Sequence, residues 1–268
     1  MKILVTVTEV AVVDDEFEID GLAVDERYLT YDLNEWDDYA VEEAVQYKEA
    51  HEDDDVEVVT VTVGPERAEE TIRQALAKGA DRAIRVWDDA LADASVRDPA
   101  TKAAVLAAVA REEDPDLVLS GVQSGDDAFG ATGVALAAAL DYEWAAVVND
   151  LELDAEAGVA SVHRELEGGV EELTDVEIPA VFTIQTGINE PRYVGIRGIR
   201  KVASVDIPEL GLSDLGLSAD QVGETGSRVK RVDYFVPEMG EGAEILEGDT
   251  EEVAAKLIDM LKARGGIK

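Results

Sequence analysis

The sequence predicts an α/β fold: a doubly wound parallel sheet with an antiparallel addition and an extended C-terminal arm. Three observations predict it. Short apolar, β-branched runs recur and read as strands buried on both faces. Over the first half they alternate with segments whose apolar residues follow a helical period, which implies parallel strands joined by crossover helices. After Leu140 that alternation stops, and closely spaced strands joined by a Gly168-Gly169 turn take its place.

Ile3–Val7 is the first buried strand, and a polar loop, Asp14–Leu33, follows it. Trp36, Ala40, Val41, Ala44 and Val45 then share one helix face, with Asn34 as its N-cap. Val56–Val63 is the second strand. Gly64-Pro65 opens a helix that buries Ala68, Ile72, Ala75 and Leu76 and ends at Gly79, a C-terminal cap. Ala83–Val86 is a strand, Thr101–Arg111 an Ala-rich helix stopped by Asp114-Pro115-Asp116, and Leu117–Ser120 the next strand. A helix resumes around Gly130–Leu140. Val147–Leu153, Val159–Glu165 and Val170–Val176 read as antiparallel strands, and Ala180–Ile184 as a further strand. A Gly- and Arg-rich loop spans Thr186–Lys201. Glu209–Arg228 has little periodicity and reads as an extended arm, and the tail is an amphipathic helix carrying Val253, Leu257, Ile258 and Leu261 on one face. The expected division is residues 1–207 as an α/β domain, including the loop 186–201, and 208–268 as an arm and helix that need a partner to bury their apolar side chains.

Composition removes several function classes. The chain has 268 residues and no cysteine, which excludes disulfides, thiol nucleophiles and Cys-ligated metal centres. With only two histidines, His51 and His163, both read as surface residues, no metal site is expected. The 61 acids against 23 Lys and Arg give a net charge of −38, which opposes nucleic-acid binding. These acids are spread along the whole chain, so the charge reads as a globally acidic, halophilic surface screened by high salt. The first residues read as a strand and carry no signal-peptide pattern, and apolar runs are too short to span a bilayer, so a cytoplasmic location without membrane insertion is expected.

In an open parallel sheet a ligand binds beyond the carboxyl ends of the strands. Thr6–Glu9, Val63-Gly64 and Ser120–Gly133 lie there. In the third, a strand enters a Gly-rich loop (SGVQSGDDAFGATG) that leads to a helix N-terminus, where free amides and the Thr132 hydroxyl could hold a phosphate. No Walker lysine follows and the spacing is not G-x-G-x-x-G, so neither a P-loop NTPase nor a standard Rossmann dehydrogenase is indicated. An ordinary strand-to-helix turn is the competing reading. No catalytic constellation stands out. Asp126-Asp127 could imitate a metal-binding acid pair, and a stand-alone nucleotide-binding protein of the universal-stress type shares such a sheet.

The fifteen residues Pro191–Val205 contain no acid, the longest such stretch in the chain, and carry Arg192, Arg197, Arg200 and Lys201. With Ile196 and Ile199 among them they read as a docking loop: the arginines steer an acidic partner and an isoleucine fills a pocket on it.

Several segments together resemble the beta subunit of electron transfer flavoproteins. They are Asn34 with AVEEAV, VGPERAEETIRQALAKGADR (Val63–Arg82), the loop Gly121–Gly133, RELEGG (Arg164–Gly169), Ile178-Pro179-Ala180-Val181, and Asn189-Glu190-Pro191-Arg192-Tyr193. The resemblance implies a Rossmann-like sheet of the adenine-nucleotide alpha-hydrolase type. It implies one half of a heterodimer whose alpha subunit holds most of an FAD, and an electron carrier rather than an enzyme. Electrons would pass from dehydrogenases, such as acyl-CoA dehydrogenases, to a membrane quinone oxidoreductase. An AMP would contact Thr6, Asn34, Val63, Gly121, Asp127, Gly130, Ala131 and Thr132. In electron-bifurcating relatives an FAD takes that place and NADH is the donor. Residues 186–201 would be the recognition loop, with Ile196 as anchor where the family has Leu. The turn that in the family carries a Gln reads Gly130-Ala131-Thr132 here, which removes one donor to the phosphate and leaves AMP and FAD both open, AMP being the expected occupant.

Overall fold

The computed structural model describes residues 1–92, 96–237 and 245–266. In chain order its strands and helices begin with β1 (Lys2–Thr6), β2 (Glu9–Val13), β3 (Ile19–Asp20), β4 (Ala23–Val24), β5 (Leu29–Leu33) and α1 (Glu35–Ala50). Next come β6 (Glu57–Val63), α2 (Glu69–Lys78), β7 (Arg82–Val86), α3 (Asp89–Ala92), α4 (Pro99–Glu113), β8 (Leu117–Gly121) and α5 (Thr132–Leu140). β9 (Glu143–Asp154), β10 (Val159–Leu166), β11 (Val170–Glu177), β12 (Ala180–Ile184), α6 (Ile196–Val202), β13 (Glu209–Leu210), α7 (Ala219–Val222) and α8 (Thr250–Ala263) complete the chain.

One nine-stranded sheet, in the order β11-β10-β9-β12-β8-β1-β6-β7-β13, organises the first compact unit, Met1–Asp233. Neighbours from β9 to β13 pair in parallel, while β9, β10 and β11 form the antiparallel addition. The period of two along a strand splits the core. Ile3, Val5, Val58, Leu117, Leu119 and Phe182 face α1 and α2, where Ala40, Val41, Ala44, Val45, Ile72, Ala75 and Leu76 close one layer. Leu4, Val59, Val61, Val118 and Val181 face the other way, against Val105, Leu106 and Val109 of α4 and Leu136 and Ala137 of α5. The sheet is doubly wound, as its sequence pattern implies, and the predicted buried face of α2 is the observed one.

The chain departs from its sequence pattern in four places. Asp14–Leu33 is not a plain loop, because β5 pairs with β2 in an antiparallel hairpin, with β3 and β4 paired near its tip. The hairpin's strands are short and mostly exposed or half-buried, with Val10 the one buried residue of β2 and β5, so they carry no strong apolar alternation. Asn34 sits at the N-cap of α1, yet its side chain makes no cap hydrogen bond. The loop after Ile184 contains α6. Finally, Glu209–Arg228 does not stand away as an arm. β13 adds to the sheet beside β7, Leu212 and Val222 are buried, and the Asp98 carboxylate accepts from the Arg228 amide and the Ser227 hydroxyl. The first unit therefore runs past the expected boundary at 207/208, to Asp233. The second unit, Tyr234–Lys268, holds α8, capped by Asp249, with no residue of the helix buried; Leu257, Ile258 and Leu261 stay exposed on it.

Candidate functional site

The chain runs from β1 outward through β6 and β7, then returns to β8 on the other side of β1. That reversal is the topological switch point, where an open sheet leaves a crevice beyond its carboxyl ends. A small cavity of about 60 Å³ opens there, where open α/β sheets bind their ligands. Seven of the eight residues expected to contact a nucleotide line it: Thr6, Asn34, Val63, Gly121, Gly130, Ala131 and Thr132. Asp127 does not line it; its carboxylate turns to Lys102 Nζ at 3.3 Å.

Each wall has a local cause. Val7, Val61 and Val63 come from the ends of parallel strands, Leu106 from α4 and Phe129 from the loop, and together they make an apolar surface. Thr132 begins α5, preceded by Ala131 at the N-cap and by Gly130 in the left-handed region at φ 61°. Ala131 has no side-chain oxygen, so the first-turn amides of α5 lack a side-chain cap, and a helix N-terminus of this kind favours an anion. Asn34 is committed elsewhere. Its Nδ2 donates to Gln123 O at 2.9 Å and its Oδ1 accepts from Gly125 N at 3.2 Å, so it fixes the loop 123–125 instead of capping α1.

Sequence reasoning missed Asp37. It sits in the first turn of α1, is 3% exposed, and accepts from Gly121 N at 2.9 Å and Thr8 N at 2.8 Å. The helix is thereby clamped onto the ends of β8 and β1. Burial pushes the Asp37 carboxyl up to about 6, against the opposing effect of these amides and of Asn34. Gly121 has a packing reason: a Cβ there would lie 2.6 Å from both Asp37 Oδ1 and Trp36 Cβ. Lys102 was missed as well, because its helix sits far from the loop in sequence. Among the cavity-lining residues, Lys102 supplies the cationic side chain and Asp37 the acidic one.

The candidate docking loop divides in two. Arg192, expected to face a partner, instead turns back to α1: its Nε lies 2.9 Å from Glu42 Oε2 and its Nη1 2.7 Å from Glu49 Oε1. Lys78 Nζ donates to Arg192 O at 2.7 Å and pairs with Asp38 at 2.6 Å. At the other end, Arg73 Nη1 donates to Val202 O at 2.7 Å and Val205 O at 3.1 Å, which secures the C-terminus of α6. Between these fixed ends Ile196 is 73% exposed and Tyr193 93%, Arg197 and Arg200 are exposed, and Ile199 is half-buried. Among the described residues no group of three or more His, Asp or Glu side chains could hold a metal ion, and no helix is long and apolar enough to cross a membrane.

Fold and cavity define an α/β protein with an open site at the switch point of a doubly wound sheet. A family model described as the electron transfer flavoprotein domain matches residues 21–215. The chain is 48% identical over 265 residues to the electron transfer flavoprotein subunit beta of Methylophilus methylotrophus, covering 97% of this chain and 98% of that one. It is 33% identical over 238 residues to the subunit of the same name in Bacillus subtilis, at 88% and 87% coverage. It is also 32% identical over 233 residues to the caffeyl-CoA reductase-Etf complex subunit CarD of Acetobacterium woodii, at 87% and 86%. The chain belongs to the electron transfer flavoprotein family, on its beta-subunit side, and is an electron-carrier subunit. The stand-alone stress-protein alternative gives way to this membership.

Proposed function

We propose that this subunit binds an adenine nucleotide, AMP, in the switch-point cavity and pairs with an alpha subunit that holds most of an FAD. When bound in the heterodimer, that FAD takes electrons from a dehydrogenase, of the acyl-CoA type or another, and passes them towards a membrane quinone oxidoreductase. The present chain supplies no catalytic group. Its cavity residues bind and shape, its loop at 186–201 docks the dehydrogenase, and the exposed apolar face of α8 with the rest of the tail packs on the alpha subunit. The complex works in the cytoplasm, at high salt.

The observation that carries the reading is the composition of the cavity. Apolar walls from Val7, Val61, Val63, Leu106 and Phe129 suit a base, and the α5 amides, the Thr132 hydroxyl and Lys102 suit a phosphate. The 48% identity to a beta subunit over nearly the whole chain supports the heterodimer. An FAD in this cavity with NADH as donor, as in electron-bifurcating relatives, is the competing occupant. Denaturing the purified heterodimer and separating the released nucleotides by chromatography decides between them. AMP in a one-to-one ratio to this chain is expected beside the flavin. A second equivalent of FAD and no AMP would overturn the assignment. Thr132→Val should weaken AMP retention by about 1.5–3 kcal/mol, the scale of one charge-assisted hydrogen bond, without unfolding the chain. Equal AMP yields from variant and wild type would mean that Thr132 contributes nothing to the phosphate.

A further inference from the structure

Lys102 occupies a position that helix stability does not favour. It is the fourth residue of α4, and a cation in the first turns of a helix opposes the macrodipole. Bases are scarce in this chain, 23 against 61 acids. Yet this lysine is only 21% exposed, lines the switch-point cavity, and reaches Asp127 Oδ2 at 3.3 Å across the cavity loop. Leu106, one turn further along α4, lines the same wall.

The cavity is polar in a definite direction. At Asp37 the carboxylate oxygens already accept from the Thr8 and Gly121 amides, which leaves that end little to offer an anion. At the loop, a cation, a hydroxyl and the uncapped amides of α5 belong to the same lining. Asp127, 31% exposed, is the cation's partner here and lies outside the lining.

Resting on the nucleotide reading of the cavity, we infer that Lys102 is a specificity-determining contact. It exchanges Asp127 for the terminal phosphate of the occupant, which selects a nucleoside monophosphate over the bare nucleoside. Asp127 is then not a ligand contact but a competitor, which neutralises Lys102 when no phosphate is present. The exchange swaps one ion pair for another, and partly buried pairs such as this one are screened by salt much less than exposed ones.

The opposite signs predicted for the two partners make the test sharp. The nucleotide is stripped from the heterodimer, and AMP and adenosine are bound back by equilibrium dialysis in molar potassium chloride. Lys102→Met should weaken AMP by about tenfold or more, the loss of one charge-assisted hydrogen bond, and leave adenosine unchanged. Lys102→Arg should hold AMP within about threefold of wild type, because a guanidinium also binds phosphate. Asp127→Asn should tighten AMP severalfold. Equal losses of AMP and adenosine in Lys102→Met would make the lysine merely structural and overturn the inference, as would weaker AMP binding in Asp127→Asn. Wild-type heterodimer that binds neither compound would sink the nucleotide reading itself. Wild type that binds both equally would sink only the role of Lys102.

Discussion

Asp37 illustrates how much one residue can hold in this fold. Its two oxygens receive amides from the ends of β8 and β1, so a single carboxylate ties α1 to the rim of the cavity. Burial raises its pKa from 3.8 to about 6. The folded chain therefore holds that proton more tightly than the unfolded chain, and the stability Asp37 supplies is complete below about pH 4 and is lost as the pH rises through about 6. Asp37→Asn cannot ionise, so its deficit relative to wild type should be larger at about pH 4 than at about pH 7. The difference is on the order of 3 kcal/mol for a two-unit shift. Denaturant midpoints of both proteins at the two pH values test this, and a deficit that does not change with pH would refute it. Glu42 behaves in the reverse sense. Burial pushes it up, but the Arg192 guanidinium and amide with Gln46 outweigh that and hold it below the ordinary carboxylate range.

At the scale of elements, the loop 186–201, proposed above to dock the dehydrogenase, has bonded ends and an exposed tip. Glu42 and Glu49 fix Arg192, Lys78 fixes the Arg192 carbonyl, and Arg73 closes the last turn of α6. Ile196 stands 73% exposed between these anchors, next to the exposed Arg197 and Arg200. An exposed aliphatic side chain on a fixed mount suits a pocket on a partner, because little order is lost when it docks. Ile196→Ala should slow electron transfer from the partner dehydrogenase severalfold. Flavin content and reduction by dithionite should stay as in wild type. Loss of flavin would assign the loop to the cofactor site, and an unchanged rate of transfer would place the anchor elsewhere. The hairpin of β2 and β5 is mounted in a similar way: Arg67 pairs with Glu9 at 2.9 Å and lies 3.9 Å over the ring of Tyr31.

For the molecule as a whole, charge sets the conditions of folding. Much of the basic minority is drawn into pairs within the first unit, such as Lys2 and Arg82 with Glu57 and Glu113, and Lys48 with Asp81. The net −38 that remains repels itself until salt screens it, and the Debye length falls from about 10 Å at 0.1 M to about 3 Å at 1 M. Melting curves in roughly 2 M salt should be sharper and higher than in roughly 0.1 M. Curves that coincide would leave the acid excess without a bearing on stability.

The sequence by itself determined the layered sheet, the buried face of α2 and most of the cavity lining. Burial on one or both faces writes a period of two or 3.6 into the chain, and a strand-to-helix turn at a switch point is a local event that its glycines betray. The Gly121–Thr132 loop was legible for that reason. Only the tertiary structure decided the partners of the charges. Arg192 meets Glu42 across 150 positions, Asp37 meets Gly121 across 84 and Lys102 meets Asp127 across 25. No periodicity encodes such pairings. In a chain with 61 acids almost any base has a plausible partner, and only the geometry of packed elements chooses between them. The same holds for β13 and the hairpin, whose short, solvent-facing strands are specified by the edges they pair with and not by their own composition.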